Sequence, residues 1–213
     1  MATSKSNSPK GNSLSLLDQL IWAVLGLMLT VVGTFVEAVV ALPQFFNRQG
    51  QWQLPTDWQA LGTHPLPVSM QVAAVLLVGC MGGQYPAMIS QIAYLGLGLA
   101  GWQIFSHGGG LNYWQEPTFG YLAGFIPAAW VCGMLAFCQS PRIEQFFLSC
   151  LAGLGMIHTC GLLYLLALAL GNRLPLPLWA LVQQYSLYPL PGQIVIACLV
   201  ALVARVLRFI LIY

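Results

Sequence analysis

From Phe146 to Leu170 the chain carries no charged side chain, and the run from Leu16 to Leu42 holds only Asp18 and Glu37. A helix crossing a bilayer needs about 20 consecutive apolar residues at roughly 1.5 Å rise each, so runs of this kind restrict the chain to a fold solvated by lipid. The composition agrees: 58% of the 213 residues are hydrophobic and 6% are charged, against roughly 25% charged in a typical soluble domain. A water-facing surface cannot be assembled from these side chains. The 7 basic and 5 acidic residues are scattered singly, with no basic cluster to neutralise a row of phosphates, which argues against nucleic acid as a partner. The expected fold class is all-α, one integral membrane bundle of six transmembrane helices.

Punctuation along the chain sets the spans. Residues 1–15, rich in Ser, Asn, Pro and Gly, lack an apolar stripe and read as a disordered cytoplasmic tail; residues 16–213 read as a single domain. Ser15 and Asp18 have capping-box spacing, and a first span is expected from Leu16 to Leu42, too long for the core of a cleaved signal peptide. Residues 43–66, with several prolines and with Trp52 and Trp58, read as an interfacial connection. A second span is expected from Pro67 to Met81, short for a crossing, and a third from Pro86 to Leu99 after Gly82 and Gly83. The fourth, Thr118 to Cys138, contains Pro127, where the missing amide hydrogen should bend it. Ser140 and Pro141 precede the fifth, Phe146 to Leu170, and the sixth runs from Pro191 toward Tyr213. An even number of spans puts both termini on one side. Lys5, Lys10, Arg142, Arg205 and Arg208 fall there, against Arg48 and Arg173 opposite, so both termini are expected to be cytoplasmic in a multi-pass protein of the cell membrane.

Several chemistries are disfavoured. Six cysteines lie in apolar surroundings and no two are spaced as Cys-x-x-Cys, which reads as buried thiols rather than a disulfide frame or metal site. Gly108, Gly109 and Gly110 are followed by Leu111 and Asn112, not by the Lys and Ser or Thr of a phosphate loop, so an ATPase site is not expected in this chain. Glu37 and His158 are the intramembrane ionisable candidates; neither belongs to a close metal-ligand motif, and a metal site or proton relay is the weaker reading. Neither an enzyme activity nor a cofactor is expected.

The informative residues are polar ones inside apolar helices, since an amide or hydroxyl stranded in hydrocarbon costs several kcal/mol unless satisfied. Gln71, Gln91, Tyr94, Thr118, Tyr121 and Gln193 are of this kind, and all but Gln91 fall near a helix end or an aromatic loop. The pairs Gly79 and Gly83, and Gly120 and Gly124, have the small-xxx-small spacing that brings helix backbones together. Residues 101–117 gather Trp102, His107, Asn112, Tyr113, Trp114 and Glu116 around the three glycines.

Three blocks carry a family resemblance. PLPVSMQ (Pro65 to Gln71) resembles the V-P-x-T-x-Q opening of the second helix in BioY, the substrate-binding component of bacterial biotin transporters of the energy-coupling factor (ECF) type. YLGLGLAGWQIFSHGGG (Tyr94 to Gly110) is similar to that family's Y-L-x-x-G-x-x-G-x-P-V-F and glycine-rich loop, and EPTFGYLAGF (Glu116 to Phe125) to its G-P-T-x-G-Y-x-x-G-F. The resemblance covers about residues 16–210. It implies a six-helix subunit that binds biotin, working with a transmembrane coupling subunit and two ATPase subunits. The substrate-binding residues it implies, taken with the polar pattern, are Gln71, Tyr94, Asn112, Trp114, Thr118, Tyr121 and Gln193. Trp102, Ser69 and Glu116 stand where the family has Pro, Thr and Gly. In the last helix the family's Pro-Gly-Asp, with Lys three residues on, becomes Pro191, Gly192, Gln193 and Ile196. Two other readings are a self-sufficient carrier for another vitamin or apolar solute, and a membrane interaction protein without a ligand.

Overall fold

A computed structural model describes residues 16–43, 61–106, 108–138 and 142–212. The tail at residues 1–15, the tryptophans at 52 and 58, His107 and the Ser140 and Pro141 helix start lie outside the described residues. The helices are α1 (Leu16–Phe35), α2 (Gln71–Gly82), α3 (Gln84–Leu99), α4 (Phe119–Ala123), α5 (Phe125–Cys138), α6 (Ile143–Leu170), α7 (Leu178–Val182) and α8 (Leu190–Ile212), and a 3-10 turn spans Leu111–Gln115. With α4 and α5 forming one pass and α7 leading into α8, the chain makes the six-helix membrane bundle expected of it. Among the described residues, four passes are long and apolar enough to cross a membrane: Leu16–Phe35, Phe119–Cys138, Ile143–Leu170 and Leu178–Leu211.

The second pass is the short one, 12 residues in α2, or about 18 Å at helical rise. It packs against α1, α3, α5, α6 and α8, and most of its residues are buried. A helix apolar on every side belongs inside a bundle, and one enclosed by protein need not match the bilayer thickness.

Two boundaries differ from expectation. α1 stops at Phe35 rather than Leu42, and Glu37–Pro43 (β1) pairs antiparallel with Leu61–Ser69 (β2) in a two-stranded ribbon. Val36, Val39 and Val40 are β-branched and favour extended backbone, while the prolines at 65 and 67 are tolerated because each strand of such a ribbon is an edge. Glu37 therefore sits beyond the end of α1 rather than inside a transmembrane helix, and the second helix opens at Gln71 rather than Pro67. The fourth pass is interrupted at Gly124, not at Pro127 itself. Pro127 lacks the amide hydrogen that the Ala123 carbonyl would accept, so α4 ends at Ala123, while Gly124 N donates to Gly120 O and Ala128 N to Gly124 O, both at 3.0 Å.

Small side chains hold the bundle close. A Cβ on Gly79 would lie 3.1 Å from Cys132 Sγ, and one on Gly124 would lie 3.0 Å from the Cβ of Cys160. The packing role expected of these glycines is thus seen in α2 against α5 and in α4 against α6. Cys80, Cys132 and Cys150 meet where α2, α5 and α6 converge, each with no exposed surface, with Cys80 Sγ 3.7 Å from Cys132 Sγ and 3.6 Å from Cys150 Sγ. One turn later in α5 and one turn earlier in α6, the Arg208 guanidinium donates to the Ala136 carbonyl at 3.2 Å and lies over the rings of Phe137 and Phe146.

Candidate functional site

The polar groups collect at one end of the bundle, where α1 and α3 finish and α2, α4 and α8 begin. Gln71, the first residue of α2, is 4% exposed. Its Nε2 donates to Thr34 Oγ1 near the end of α1 and to the Tyr94 hydroxyl on α3, each at 2.6 Å. Tyr94 is fully buried and donates in turn to the Ile104 carbonyl at 3.1 Å, while Ser69 Oγ donates to Gln71 Oε1 at 3.2 Å. One glutamine thus ties three helices and the following loop together. Gln91, deeper in α3, donates to Thr30 Oγ1 on α1 at 3.1 Å and to Ser90 Oγ at 2.9 Å, and so joins two helices away from this end.

Residues 101–106 and 108–117 fold back over this end. Gly110 N donates to Gly98 O at 2.8 Å, and Phe105 and Gly108 exchange backbone bonds at 3.0 and 3.1 Å. Gly101, Gly108 and Gly110 have φ of 107°, 103° and 105°, a region open to glycine and costly for side chains with a Cβ. The turn presses the Phe105 ring onto Gly98, 5.3 Å from Tyr94 and 4.6 Å from Tyr113 by ring centroids. The Tyr113 hydroxyl pairs with Thr118 Oγ1 at 3.2 Å. Burial pushes Tyr113 above the ordinary tyrosine pKa, the Thr118 bond opposes this, and the Glu116 charge adds to it, so the hydroxyl stays protonated at neutral pH.

A second network lies between α4, α6 and the approach to α8. Tyr121 OH is 2.7 Å from Ser186 Oγ, Ser186 Oγ is 3.2 Å from His158 Nδ1, and His158 Nε2 is 2.7 Å from Gln193 Oε1. Ser186 reaches this position from a π-helical turn, Gln183–Leu187, closed by Tyr188 N donating to Gln183 O at 2.9 Å. Wide turns of this kind are frequent at functional sites. The Tyr121 ring lies against Gly161 on α6, where any larger residue would collide with it.

Of the seven residues singled out in the sequence, Gln71 and Tyr94 bond directly, Tyr121 and Gln193 are joined through Ser186 and His158, and Thr118 pairs with Tyr113. Asn112 and Trp114 lie on the 3-10 turn at the same end with exposed side chains; the Arg173 guanidinium stacks over the Trp114 ring at 5.4 Å, and the Tyr164 hydroxyl donates to the Trp114 carbonyl. Thr34 and Ser186 were not anticipated. Thr34 had a readable sign, since Thr30 and Thr34 are one turn apart in an apolar helix and each donates back to the carbonyl four residues earlier. Ser186 had none, because its place depends on the π turn. His158, the ionisable residue given a minor part, stands in the middle of the second network.

An apolar multi-pass bundle with two polar networks gathered at one end defines an integral membrane protein. Comparison with known proteins is specific about which. The BioY family model matches residues 58–212, and the chain belongs to the BioY family. A probable biotin transporter BioY of Lysinibacillus sphaericus is 40% identical over 101 residues, 47% of this chain and 52% of that protein. An uncharacterised 21.2 kDa protein of Cyanophora paradoxa is 29% identical over 196 residues, 90% of this chain and 95% of that protein. The biotin transporter BioY of Thermotoga maritima is 33% identical over 109 residues, 51% and 64% of the two chains. The chain thus spans about half the length of the Lysinibacillus relative and under two thirds of the Thermotoga one. The fold matches a crystal structure of the S-component for biotin from an ECF-type ABC transporter, with a TM-score of 0.65 at 19% identity over 92% of this chain and 95% of that one.

Proposed function

We propose that this chain binds biotin and brings about its uptake across the cell membrane as the substrate-specific subunit of an ECF-type transporter. In this reading residues 16–213 form one binding domain, both termini are cytoplasmic, and a transmembrane coupling subunit with two ATPase subunits supplies the energy. The observation that carries it is the pair of networks, Gln71–Thr34–Tyr94 and Tyr121–Ser186–His158–Gln193, at the end of the bundle that the basic residues of α8 avoid. Arg205 and Arg208 lie toward the opposite end of α8 from Gln193, as a cytoplasmic location of that end requires. Biotin offers a ureido ring, an apolar thioether ring and a carboxylate, and buried amides and hydroxyls beside aromatic side chains suit all three. Gln71, Tyr94, Thr118, Tyr121 and Gln193 form the inner contacts, with Asn112 and Trp114 on the covering turn.

The experiment is ligand retention by the purified protein from a mixture of vitamins. Biotin should be retained, and retention of a different vitamin overturns the assignment. In cells lacking other biotin uptake, transport should require coupling and ATPase subunits; uptake by this chain alone would make it a self-sufficient carrier.

A further inference from the structure

We infer that His158 is a positioning residue that fixes the polarity of Gln193, so that the glutamine meets the ligand as a donor only and the ligand group facing it is an acceptor oxygen. The choice of biotin as probe rests on the reading above; the polarity of the network does not.

The argument starts from what each atom can do. A glutamine carbonyl oxygen accepts and never donates. Gln193 Oε1 lies 2.7 Å from His158 Nε2, so that ring nitrogen carries the hydrogen. In the neutral imidazole Nδ1 is then an acceptor, which makes Ser186 the donor to it at 3.2 Å and Tyr121 the donor to Ser186 at 2.7 Å. The chain of four residues therefore runs in one direction and ends on the Gln193 carbonyl. With that oxygen engaged, Gln193 has its two amide hydrogens left over. The residue is only 8% exposed, and no bond from its Nε2 is found among the described residues, so both hydrogens are available to a guest. A donor left without a partner in a mostly buried residue gains most from a group that can accept.

The same geometry accounts for two departures from the family pattern. An aspartate at position 193 would bring acceptors and a charge, whereas glutamine held by His158 brings donors and none. Ile196 is 5% exposed, within the apolar core, so the last helix supplies no cation at that position. Donor hydrogens on Gln193 give an electron-rich oxygen a neutral partner, whether it is the ureido carbonyl or the carboxylate of biotin.

Two measurements test this. Nitrogen NMR of histidine-labelled protein without ligand reads the tautomer directly: His158 should carry its hydrogen on Nε2. A hydrogen on Nδ1 means the amide is turned the other way and overturns the inference whatever the ligand proves to be. Biotin dissociation constants for Gln193→Glu, Gln193→Leu, His158→Phe and His158→Phe/Gln193→Leu, each checked for folding by thermal melting, give the second. Gln193→Glu keeps an acceptor for His158 but has no amide hydrogens, and should lose as much affinity as Gln193→Leu, roughly 5-fold to 150-fold. The double variant should be no weaker than Gln193→Leu alone. Wild-type affinity in Gln193→Glu, or additive losses in the double variant, overturns the assignment. The analogues separate the two oxygens: if the ureido end faces Gln193, the preference for biotin over 2-iminobiotin collapses in Gln193→Leu, and if the acid end does, the preference over the methyl ester collapses. Both preferences surviving intact in that variant also overturns the inference. A parent protein that binds no biotin refutes the proposed substrate, and the tautomer then decides the polarity of Gln193 by itself.

Discussion

The amide nitrogen of Gln71 donates to both Thr34 Oγ1 and the Tyr94 hydroxyl at 2.6 Å, so one side chain at the start of α2 fastens the end of α1 to the end of α3. Because Tyr94 passes the chain on to the Ile104 carbonyl, the covering loop is held by the same bonds. Gln71→Leu should therefore destabilise the protein by about 1–3 kcal/mol, the usual penalty for buried polar groups left unsatisfied. Thermal unfolding in detergent measures this, and unchanged stability would show that the three groups find other partners.

Tyr94→Phe is a gentler cut, removing one hydroxyl and keeping the ring against Phe105. Amide hydrogen exchange should speed up selectively over residues 101–110, because the bond to Ile104 is lost while the α3 backbone is not. Equal acceleration throughout α3 would point to a general loss of stability instead.

Gly161 and Gly155 lie on α6 and should respond oppositely to alanine. A Cβ at Gly161 runs into the Tyr121 ring, whereas one at Gly155 meets nothing within 4 Å. Gly161→Ala should cost about 1–3 kcal/mol through overpacking and weaken biotin binding by displacing Tyr121 from Ser186. Gly155→Ala should be neutral or stabilise by about 0.5–1 kcal/mol, as expected in a helix interior. Melting curves and biotin titrations of both variants check the contrast.

The thiols should divide into two reactivity classes. Cys138, at the end of α5, is exposed and Cys80, Cys132 and Cys150 are buried, so N-ethylmaleimide on folded protein in detergent should modify Cys138 and spare the three until denaturant is added. Cys132→Leu should destabilise by about 1–3 kcal/mol through overpacking, because even a Cβ added to Gly79 or Gly153 would lie 3.1 Å from the Cys132 side chain. Prompt labelling of Cys132 in folded protein would contradict the packing described.

Much of the bundle was legible because hydrocarbon is an unforgiving solvent: a span must be long and nearly uncharged, and Pro, Gly and polar residues mark where it stops. The order of the passes follows from this. Local competition between backbone states was not legible. Val39 and Val40 satisfy a membrane helix and a strand equally well by hydropathy, and only pairing with residues 61–69 decides between them. Pro127 announced a break, but its position depends on which carbonyl loses its partner, which is that of Ala123. In the site, polar residues in apolar helices identified Gln71, Tyr94, Tyr121 and Gln193, since burying each demands a partner. The partners themselves come from helix packing and a π turn, so Ser186 and the central place of His158 could not be read from spacing.

Topology is open to a direct check. Reporter fusions at the amino and carboxyl termini should both be cytoplasmic, as an even number of passes and the basic residues of α8 require. Opposite locations would remove the six-pass arrangement from the proposal.

The enclosure of α2 has a consequence for how the protein meets its bilayer. The 12-residue helix would, on its own, demand a membrane far thinner than the usual hydrocarbon core of about 30 Å. Surrounded by α1, α3, α5, α6 and α8, it makes no such demand, and hydrophobic mismatch is felt instead by the longer outer passes. Acyl chain length should then act on tilt in helices such as α1, whose 18-residue apolar window is only 17% buried, while Gln71 at the head of α2 keeps its depth relative to the protein rather than to the lipid.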